Sequence, residues 1–230
     1  MDIGIVTSFY NGYDRFIERW ANSICKLTIK PQMVVMIASG PQSNEQHVKN
    51  AEMMFDKFNI PYVSGKLGKH QNMGYARNKA VEHCNTEWVM YLDVDDTVVE
   101  KAIERFQKYE KNADVICGGL KIVGARKHEV KLYPNASTEN QLKGKIIGSS
   151  HCPFRKKFWK LAPFTIKNDY IEQVFKLGMA QQGARFVPTK EVCTIYHSRA
   201  DGHNLSMTKS QWKECKAQTR KFVKEGVKYD

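Results

Sequence analysis

Residues 89–96 read Val-Met-Tyr-Leu-Asp-Val-Asp-Asp, an apolar run that ends in three carboxylates. A short apolar run of this kind is typical of a buried strand. Side chains two residues apart on an extended backbone point the same way, so Asp93 and Asp95 are predicted to face one space. Crowded carboxylates repel one another unless a cation lies between them, and oxygen ligands suit Mg²⁺ or Mn²⁺. The stretch therefore predicts a divalent-metal site at a strand end, and these residues alone leave open a solvated acidic turn.

Outward from this strand, apolar patterns of strand and helix alternate through the first half of the chain. Strands are predicted over residues 3–9, 33–38, 61–64, 87–92 and 114–117, and helices over 14–27, 43–59, 74–84 and 98–109. Strands that alternate with helices in this way favour βαβ units. We therefore predict an α/β fold with a Rossmann-like, mostly parallel central sheet, helices on both faces, and a single domain.

The carboxyl ends of parallel strands form a ligand-binding crevice in such folds. Tyr10 and Asn11 follow the first predicted strand, Ser39 and Gly40 follow the second, and Asp93 follows the fourth. We expect the three loops to converge on one crevice.

The pattern is less regular after Gly118. Short strands are predicted over 120–123, 185–187 and 192–196, helices over 154–161, 169–181 and 207–227, and a polar, loop-rich stretch over 129–148. The simplest division is a domain over 1–206 with two unequal halves, 1–117 and 118–206, followed by a basic helix in 207–230.

Basic residues are concentrated in the second half of the chain, which has 230 residues and a net charge of +12. Residues 121–160 carry ten Lys or Arg against two acidic residues, and residues 209–230 carry seven against three. Such an excess suits a polyanionic partner such as nucleic acid, an anionic lipid surface or an acidic glycan. A solvated, solubilising surface is the alternative.

No apolar run approaches the roughly 18 residues that a membrane span needs. The N-terminus has neither a basic leader region nor a cleavage pattern, so we expect a cytoplasmic protein. The six cysteines are scattered without a C-x-x-C pair, which favours reduced thiols over a disulfide framework or a zinc site.

The segment upstream of the acidic stretch carries a more specific pattern. Residues 74–80 read Gly-Tyr-Ala-Arg-Asn-Lys-Ala, and residues 74–96 together resemble the G-x-A-R-N-x-A helix and L-D-x-D-D strand end of family 2 glycosyltransferases, which have the GT-A fold. Residues 7–11, Thr-Ser-Phe-Tyr-Asn, look like the first strand of that family and its turn. A looser similarity extends to about Ser206, so the resemblance covers most of the chain.

This resemblance implies an enzyme that moves a sugar from a nucleotide-sugar to an acceptor hydroxyl with the help of Mn²⁺ or Mg²⁺. The half formed by 1–117 would bind the donor and the half formed by 118–206 the acceptor. Residues that the resemblance assigns to the nucleotide-sugar are Ser8, Tyr10, Asn11, Ser39, Arg77, Asp93 and Asp96. In many family members the second strand ends with an Asp that reads the base, whereas Ser39 stands there in this chain; this departure leaves the nucleotide open, and uridine is taken as the default.

Individual roles follow from the same resemblance. Arg77 would approach the nucleotide or its phosphates, with a surface helix arginine as the alternative. Asp93 would contact the ribose or sugar, and Asp95 would hold the metal. Asp96 would support the donor or cap the next helix. His197, at the end of a predicted strand, would complete the metal site ahead of His203, and His151 is placed less well than either; a loop histidine without a ligand is the alternative.

The family's catalytic base is the Asp of a Glu-Asp pair on a helix of the second half. The matching position here is Asn168-Asp169, so Asp169 is the candidate base and Glu172 the second choice. A carboxylate there would take the proton from the acceptor hydroxyl as it attacks the anomeric carbon, which inverts the configuration. A helix N-cap is the other reading of Asp169.

Two other functions compete with this prediction. Residues 92–97, Leu-Asp-Val-Asp-Asp-Thr, also resemble the first motif of haloacid dehalogenase phosphatases, in which Asp93 would be the nucleophile. That motif ordinarily ends the first strand of its domain, whereas three predicted strands precede it here. The basic region 121–160, which contains aromatic residues, also fits a nucleic-acid-binding module or a transferase whose acceptor is a hydroxylated base in DNA.

Overall fold

One mixed sheet organises the computed structural model, which describes residues 1–10, 12–40, 45–69, 71–124, 128–145, 151–166, 171–198, 209–227 and 229, with only the backbone of 209–212. Within the described part of the chain the strands are β1 (Ile3–Tyr10), β2 (Met33–Ser39), β3 (Tyr62–Leu67), β4 (Trp88–Tyr91), β5 (Thr97–Val98), β6 (Val115–Gly124), β7 (Glu129–Lys131), β8 (Phe154–Arg155) and β9 (Phe186–Ser198). The helices are α1 (Ile17–Cys25), α2 (Glu45–Lys57), α3 (Met73–Glu82), α4 (Ala102–Gln107), α5 (Thr138–Leu142), α6 (Lys156–Leu161), α7 (Ile171–Gln181) and α8 (Lys209–Glu225).

The strand order is β3-β2-β1-β4-β8-β6-β9-β5, and β7 pairs with β6 outside this path. Strands β3, β2, β1 and β4 are parallel, as are β6 and β9. The two-residue strand β8 runs antiparallel to both β4 and β6 and so joins the two halves of the sheet. The α/β fold predicted from the sequence is confirmed, with a parallel first half and antiparallel short strands in the second.

Helices cover both faces of the sheet. Helices α1, α2 and α4 pack on one face, around the buried rings of Trp20, Phe55 and Phe106. Helices α3, α6 and α7 pack on the other face, where Phe154 and Phe175 lie with ring centroids 5.0 Å apart. Burial on both faces explains why β1, β2 and β4 are nearly continuous apolar runs rather than alternating ones.

Several predicted boundaries were wrong where tertiary pairing decides the structure. The helix predicted over 98–109 is shorter, because Thr97 and Val98 pair with β9 instead of starting a helix. The two strands predicted over 185–187 and 192–196 form one strand, β9. The segments 114–117 and 120–123 likewise form one strand, β6, which pairs with β9 through an irregular register near Gly119.

Helix α8 lies within the predicted C-terminal segment 207–230 and packs on α7. In the part of the chain that the structure describes, no helix has both the length and the apolar character that crossing a membrane requires.

Candidate active site

The carboxyl ends of β1, β2 and β4 lie side by side, as the sequence predicted. Tyr10 and Ser39 are direct partners in the ladder between β1 and β2, and Tyr91 at the end of β4 pairs with Val6 of β1. The segment that follows β4 therefore leaves the sheet beside the last residues of β1.

The acidic segment after β4 is a turn and not a continuation of the strand. The backbone N–H of Asp96 donates to the carbonyl of Asp93 at 3.0 Å. Arg19 Nη2 donates to the carbonyl of Asp95 at 2.5 Å, and Trp20 Nε1 donates to the carbonyl of Leu92 at 3.1 Å. The extended geometry assumed for Asp93 and Asp95 thus does not hold, because the chain turns between them.

Asp93 and Asp96 converge on the buried His151, which the sequence analysis ranked behind His197 and His203. His151 Nε2 lies 3.3 Å from Asp93 Oδ2 and 3.2 Å from Asp96 Oδ2, and the side chain is 1 % exposed. One ligand atom of each of the three residues lies within 4.8 Å of the others. Asp95 is not part of this group. The segment after Gly144 carries no motif that points to His151, which reaches the site only because β8 pairs with β4.

In this cluster, burial and the neighbouring charges shift the pKa values in opposite directions. For Asp93, burial favours the neutral acid, but Arg77 and His151 outweigh it and hold the pKa well below its usual range. Burial dominates at Asp96 and raises its pKa. For His151, burial alone would lower the pKa, but the carboxylates of Asp93 and Asp96 raise it above the usual value. In the structure His151 thus serves as the counter-cation of Asp93, while burial favours the neutral form of Asp96.

The donor set of the cluster fits a divalent cation. Two ligands at right angles around a six-coordinate ion, each about 2.1 Å from it, are about 3 Å apart. The observed separations of His151 from Asp93 and Asp96 are close to that value. Carboxylate oxygens are ligands of Mg²⁺ and Mn²⁺, and imidazole is a ligand of transition metals, so the donor set does not by itself select one metal.

Arg77 is the second charged centre of the site. The residue is 2 % exposed. Its Nη2 lies 3.1 Å from Asp93 Oδ1 and 2.8 Å from Glu172 Oε1, and the guanidinium stands 4.5 Å from the centre of the Tyr91 ring. Its Nε and Nη1 are buried and have no hydrogen-bond partner among the described residues. Arg77 is therefore not a surface helix arginine; it links the acidic turn to the first turn of α7.

The residues around Arg77 explain the motif in which it lies. A Cβ on Gly74 would stand 2.0 Å from the carbonyl oxygen of Thr165, so only glycine allows this close approach. Asn78 Oδ1 accepts from Trp159 Nε1 and from the backbone N–H of Phe164, both at 2.9 Å, while its Nδ2 donates to the carbonyl of Phe164 at 2.8 Å. The glycine and the asparagine dock α3 onto this segment and thereby fix the position of Arg77.

The serines assigned to the donor make contacts within the protein. The Ser8 hydroxyl lies 2.9 Å from the Tyr91 hydroxyl, and Ser39 Oγ accepts from the backbone N–H of Gln71 at 2.9 Å. Tyr10 lies half-buried at the end of β1, and burial raises its pKa. These side chains line the strand ends, whereas Asn11 lies outside the described residues.

Of the two candidate bases, only Glu172 lies within the residues that the structure describes. Glu172 lies in the first turn of α7, and its side chain is about one third exposed beside Arg77. Asp169 and the preceding Asn168 lie outside the described residues. The structure thus brings Glu172 to the acidic turn through Arg77 and leaves the role of Asp169 as a prediction.

His197 approaches the acidic turn from β9 without joining the cluster around His151. Its backbone N–H donates to Asp96 Oδ1 at 3.0 Å, and its Nε2 lies 2.9 Å from Thr97 Oγ1. Burial, with the nearby charge of Arg19, lowers the pKa of His197 to about 4, so the imidazole is neutral near pH 7. His203 lies outside the described residues.

Solved structures with a similar fold include two nucleotide-sugar complexes. TarS 1–349 of S. aureus in complex with UDP-GlcNAc has a TM-score of 0.72 and 16 % identity, with 90 % of this chain and 62 % of that chain covered. The mannosyltransferase PcManGT of Pyrobaculum calidifontis, in complex with GDP-Man and Mn²⁺, has a TM-score of 0.67 and 15 % identity, with 100 % of this chain and 66 % of that chain covered. The architecture is accordingly the GT-A fold.

Two curated proteins are similar in sequence. An uncharacterized glycosyltransferase of Methanocaldococcus jannaschii is 24 % identical over 114 residues, and one of Haemophilus influenzae is 22 % identical over 158 residues. These alignments cover 49 % and 67 % of this chain, which spans only 39 % and 58 % of the length of the two relatives. The sequence model of glycosyl transferase family 2 matches residues 4–166, which contain the acidic turn, Arg77 and His151. A match over more than half of the chain, on strands and a site arranged as described above, shows that this protein belongs to glycosyl transferase family 2.

Proposed function

We propose that this chain transfers a sugar from a nucleotide-sugar to an acceptor hydroxyl, with inversion at the anomeric carbon. The observation that carries the proposal is the buried cluster of Asp93, Asp96 and His151 at the end of β4, joined through Arg77 to Glu172. Anionic and cationic groups held this close, at the edge where parallel strands end, suit the binding of a charged diphosphate.

The cluster supports a divalent cation, Mn²⁺ or Mg²⁺, held by Asp93, Asp96 and His151. When bound, such a cation supplies positive charge that neutralises the departing nucleoside diphosphate. The sequence assigned the metal to Asp93, Asp95 and His197, and in our proposal Asp95 and His197 instead shape the turn that presents Asp96. The complex of PcManGT with Mn²⁺ supports a metal in this fold and leaves the metal of this chain a proposal.

Other residues of the chain would bind the donor or act on the acceptor. Tyr10, with Ser8 and Ser39 behind it, forms the wall of the nucleotide pocket. Asp169 takes the proton from the acceptor hydroxyl as that oxygen attacks the sugar. Glu172 already accepts from Arg77, so we assign it to positioning Arg77 and Asp93 rather than to proton transfer.

The nucleotide and the acceptor are finer points of the proposal. UDP-sugar remains the default donor, and the complexes of TarS with UDP-GlcNAc and of PcManGT with GDP-Man show both nucleotides in this fold. For a hydroxylated base in DNA as acceptor, the basic region 121–160 gives weak support. Arg155 pairs with Glu87 and Asp114, and Lys156 donates to the carbonyl of Cys84, so part of its charge is used within the fold.

The phosphatase alternative does not fit the structure. In that motif the aspartate ordinarily follows the first strand of the domain, whereas Asp93 follows β4, the fourth strand. The sequence match is to glycosyl transferase family 2 and not to a phosphatase family. The donor and acceptor halves, 1–117 and 118–206, and the cytoplasmic location stay predictions.

Release of sugar from UDP-GlcNAc and GDP-mannose, with and without Mn²⁺, tests the proposal. We expect slow, metal-dependent hydrolysis of at least one donor, and loss of that activity in Asp93→Asn. Release of phosphate from small phosphoesters, with no action on any nucleotide-sugar, would disprove the transferase assignment.

A further inference from the structure

One side of α8 carries a continuous row of basic residues. They are Lys209, Lys213, Lys216, Arg220 and Lys224, at intervals of four, three, four and four residues. At 100° per residue these positions fall within about 80° of the helix circumference, and from 209 to 224 they extend about 22 Å along the axis. The last four side chains are exposed. We call these last four the α8 basic stripe.

Acidic residues do not neutralise the stripe within the described part of the chain. The ion pair observed on α8 joins Lys221 to Glu225 at 4.0 Å, and both lie to one side of the stripe. On the other side, Gly144 packs against α8, since a Cβ there would stand 3.1 Å from Val223 Cγ2. The next residue, Lys145, is exposed and adds a further cation to this surface.

The opposite side of α8 is fixed inside the protein. Cys215 is buried against Val174 of α7. Gln181 Nε2 donates to the carbonyl of Phe222 at 2.9 Å, and its Oε1 accepts from the backbone N–H of Val227 at 3.1 Å. The helix cannot turn its apolar side outward without leaving α7, so a partner of α8 meets the charged side alone.

The chemistry of the stripe favours a diffuse anionic surface. Three of its four members are lysines, which act as hydrated point charges, whereas planar, bidentate recognition of phosphate relies on arginine. Arg220 is the single arginine, and the described stripe has no exposed aromatic ring on which a nucleic-acid base would stack. Rows of four to eight Lys or Arg on a helix suit the negative potential of a bilayer that contains anionic lipids.

We propose that α8 is an electrostatic attachment surface for an anionic lipid bilayer. The α8 basic stripe lies on the bilayer without insertion, while the side of α8 that packs on α7 stays within the protein. This surface acts independently of the sugar transfer proposed above and would bring the chain to acceptors at a membrane.

Vesicle sedimentation tests the proposal with a matched pair of variants. One replaces the stripe (K213Q, K216Q, R220Q and K224Q); the control removes four exposed lysines on the α1, α2 and α4 face (K26Q, K57Q, K101Q and K111Q), so both lose the same charge. We expect the unaltered chain to bind phosphatidylcholine vesicles containing phosphatidylserine, and to be released at high salt. The stripe variant should bind on the order of a thousandfold more weakly, given the attraction of each of the four cations to such a surface, and the control less than fivefold more weakly.

Three results would overturn the proposal. Equal weakening in both variants would assign the binding to net charge, and equal binding to pure phosphatidylcholine would remove the electrostatic basis. Tighter binding to duplex DNA than to the anionic vesicles at the same salt concentration would identify nucleic acid as the partner. Unfolding midpoints and donor-dependent stabilisation, measured for both variants, separate loss of attachment from loss of fold or of the transferase site.

Discussion

At the scale of single residues, part of the structure around the acidic turn could be predicted from the sequence and part could not. A strand that ends just before Asp93, beside the ends of β1 and β2, could be predicted, because buried parallel strands are apolar runs that stop at the crevice. The contact of Asp93 with His151 could not be predicted. His151 is 58 residues from Asp93 in the chain and enters the cluster through the pairing of β8 with β4, which no spacing in the chain encodes. The second carboxylate of the cluster is Asp96 and not Asp95, which the sequence predicted. The reason is that the backbone leaves the extended form after Leu92.

This arrangement predicts different effects for two neighbouring aspartates. Asp96→Asn removes a carboxylate that faces His151, so we expect the affinity for Mn²⁺ in the presence of donor to fall at least tenfold. Asp95→Asn should change it less than threefold. Titration of Mn²⁺ by calorimetry or electron paramagnetic resonance measures both. A large loss with Asp95→Asn and none with Asp96→Asn would restore the assignment made from the sequence and contradict the cluster as the metal site.

Arg77 predicts an effect on stability as well as on activity. Its guanidinium is buried between Asp93 and Glu172, and removal of one partner leaves charges uncompensated. Arg77→Met should therefore lower the free energy of unfolding by about 3–5 kcal/mol. Urea unfolding followed by circular dichroism checks this value. Lys79→Ala on the same helix, where the ion pair with Glu82 is largely exposed, should cost less than about 1 kcal/mol and serves as the control.

At the scale of elements, the first half of the fold was predicted more closely than the second half, for a physical reason. Strands β1, β2 and β4 are long or apolar enough to be recognised by themselves. Strands β5 and β8 have two residues each, and only their neighbours in the sheet make them strands. The motif in α3 was recognised as a pattern, but its mechanical role became visible only from the contacts of Gly74 and Asn78 with the segment before α7.

The close approach at Gly74 predicts intolerance of a single methyl group. Gly74→Ala places a Cβ 2.0 Å from the carbonyl oxygen of Thr165, a backbone atom that cannot move without shifting the segment. We expect overpacking to cost about 1–3 kcal/mol, which lowers the unfolding midpoint by about 2–12 °C for a domain of this size. Gly68→Ala is the matched control, since a Cβ there meets nothing within 4 Å. A midpoint for Gly74→Ala equal to that of the control would show that α3 is not docked as described.

At the scale of the whole molecule, the sheet joins the edge that we propose for donor binding to a basic exterior. The crevice lies at the carboxyl ends of β1, β2 and β4, and α7 begins there with Glu172. Helix α7 also packs against α8, so the crevice and the helix that carries the α8 basic stripe are connected through α7. In our proposals the chain binds an anionic surface through α8 and a nucleotide-sugar in the crevice, and donor binding can be measured apart from attachment.

Thermal unfolding with donors provides the test of the complete site. A ligand that binds only the native state at about one hundred times its Kd adds about 2.7 kcal/mol, which raises the midpoint by about 5–10 °C for a domain of this size. We expect UDP-GlcNAc or GDP-mannose with Mn²⁺ to produce such a shift, and a chelator to remove most of it. His151→Ala should abolish the metal-dependent part even if its starting midpoint is lower, because the shift and not the baseline is compared. His128→Ala, at an exposed histidine, should retain the full shift. If neither nucleotide-sugar shifts the unaltered chain with Mn²⁺, while UDP or GDP alone does so without metal, the cluster of Asp93, Asp96 and His151 is a structural ion network and the crevice binds nucleotide by other groups.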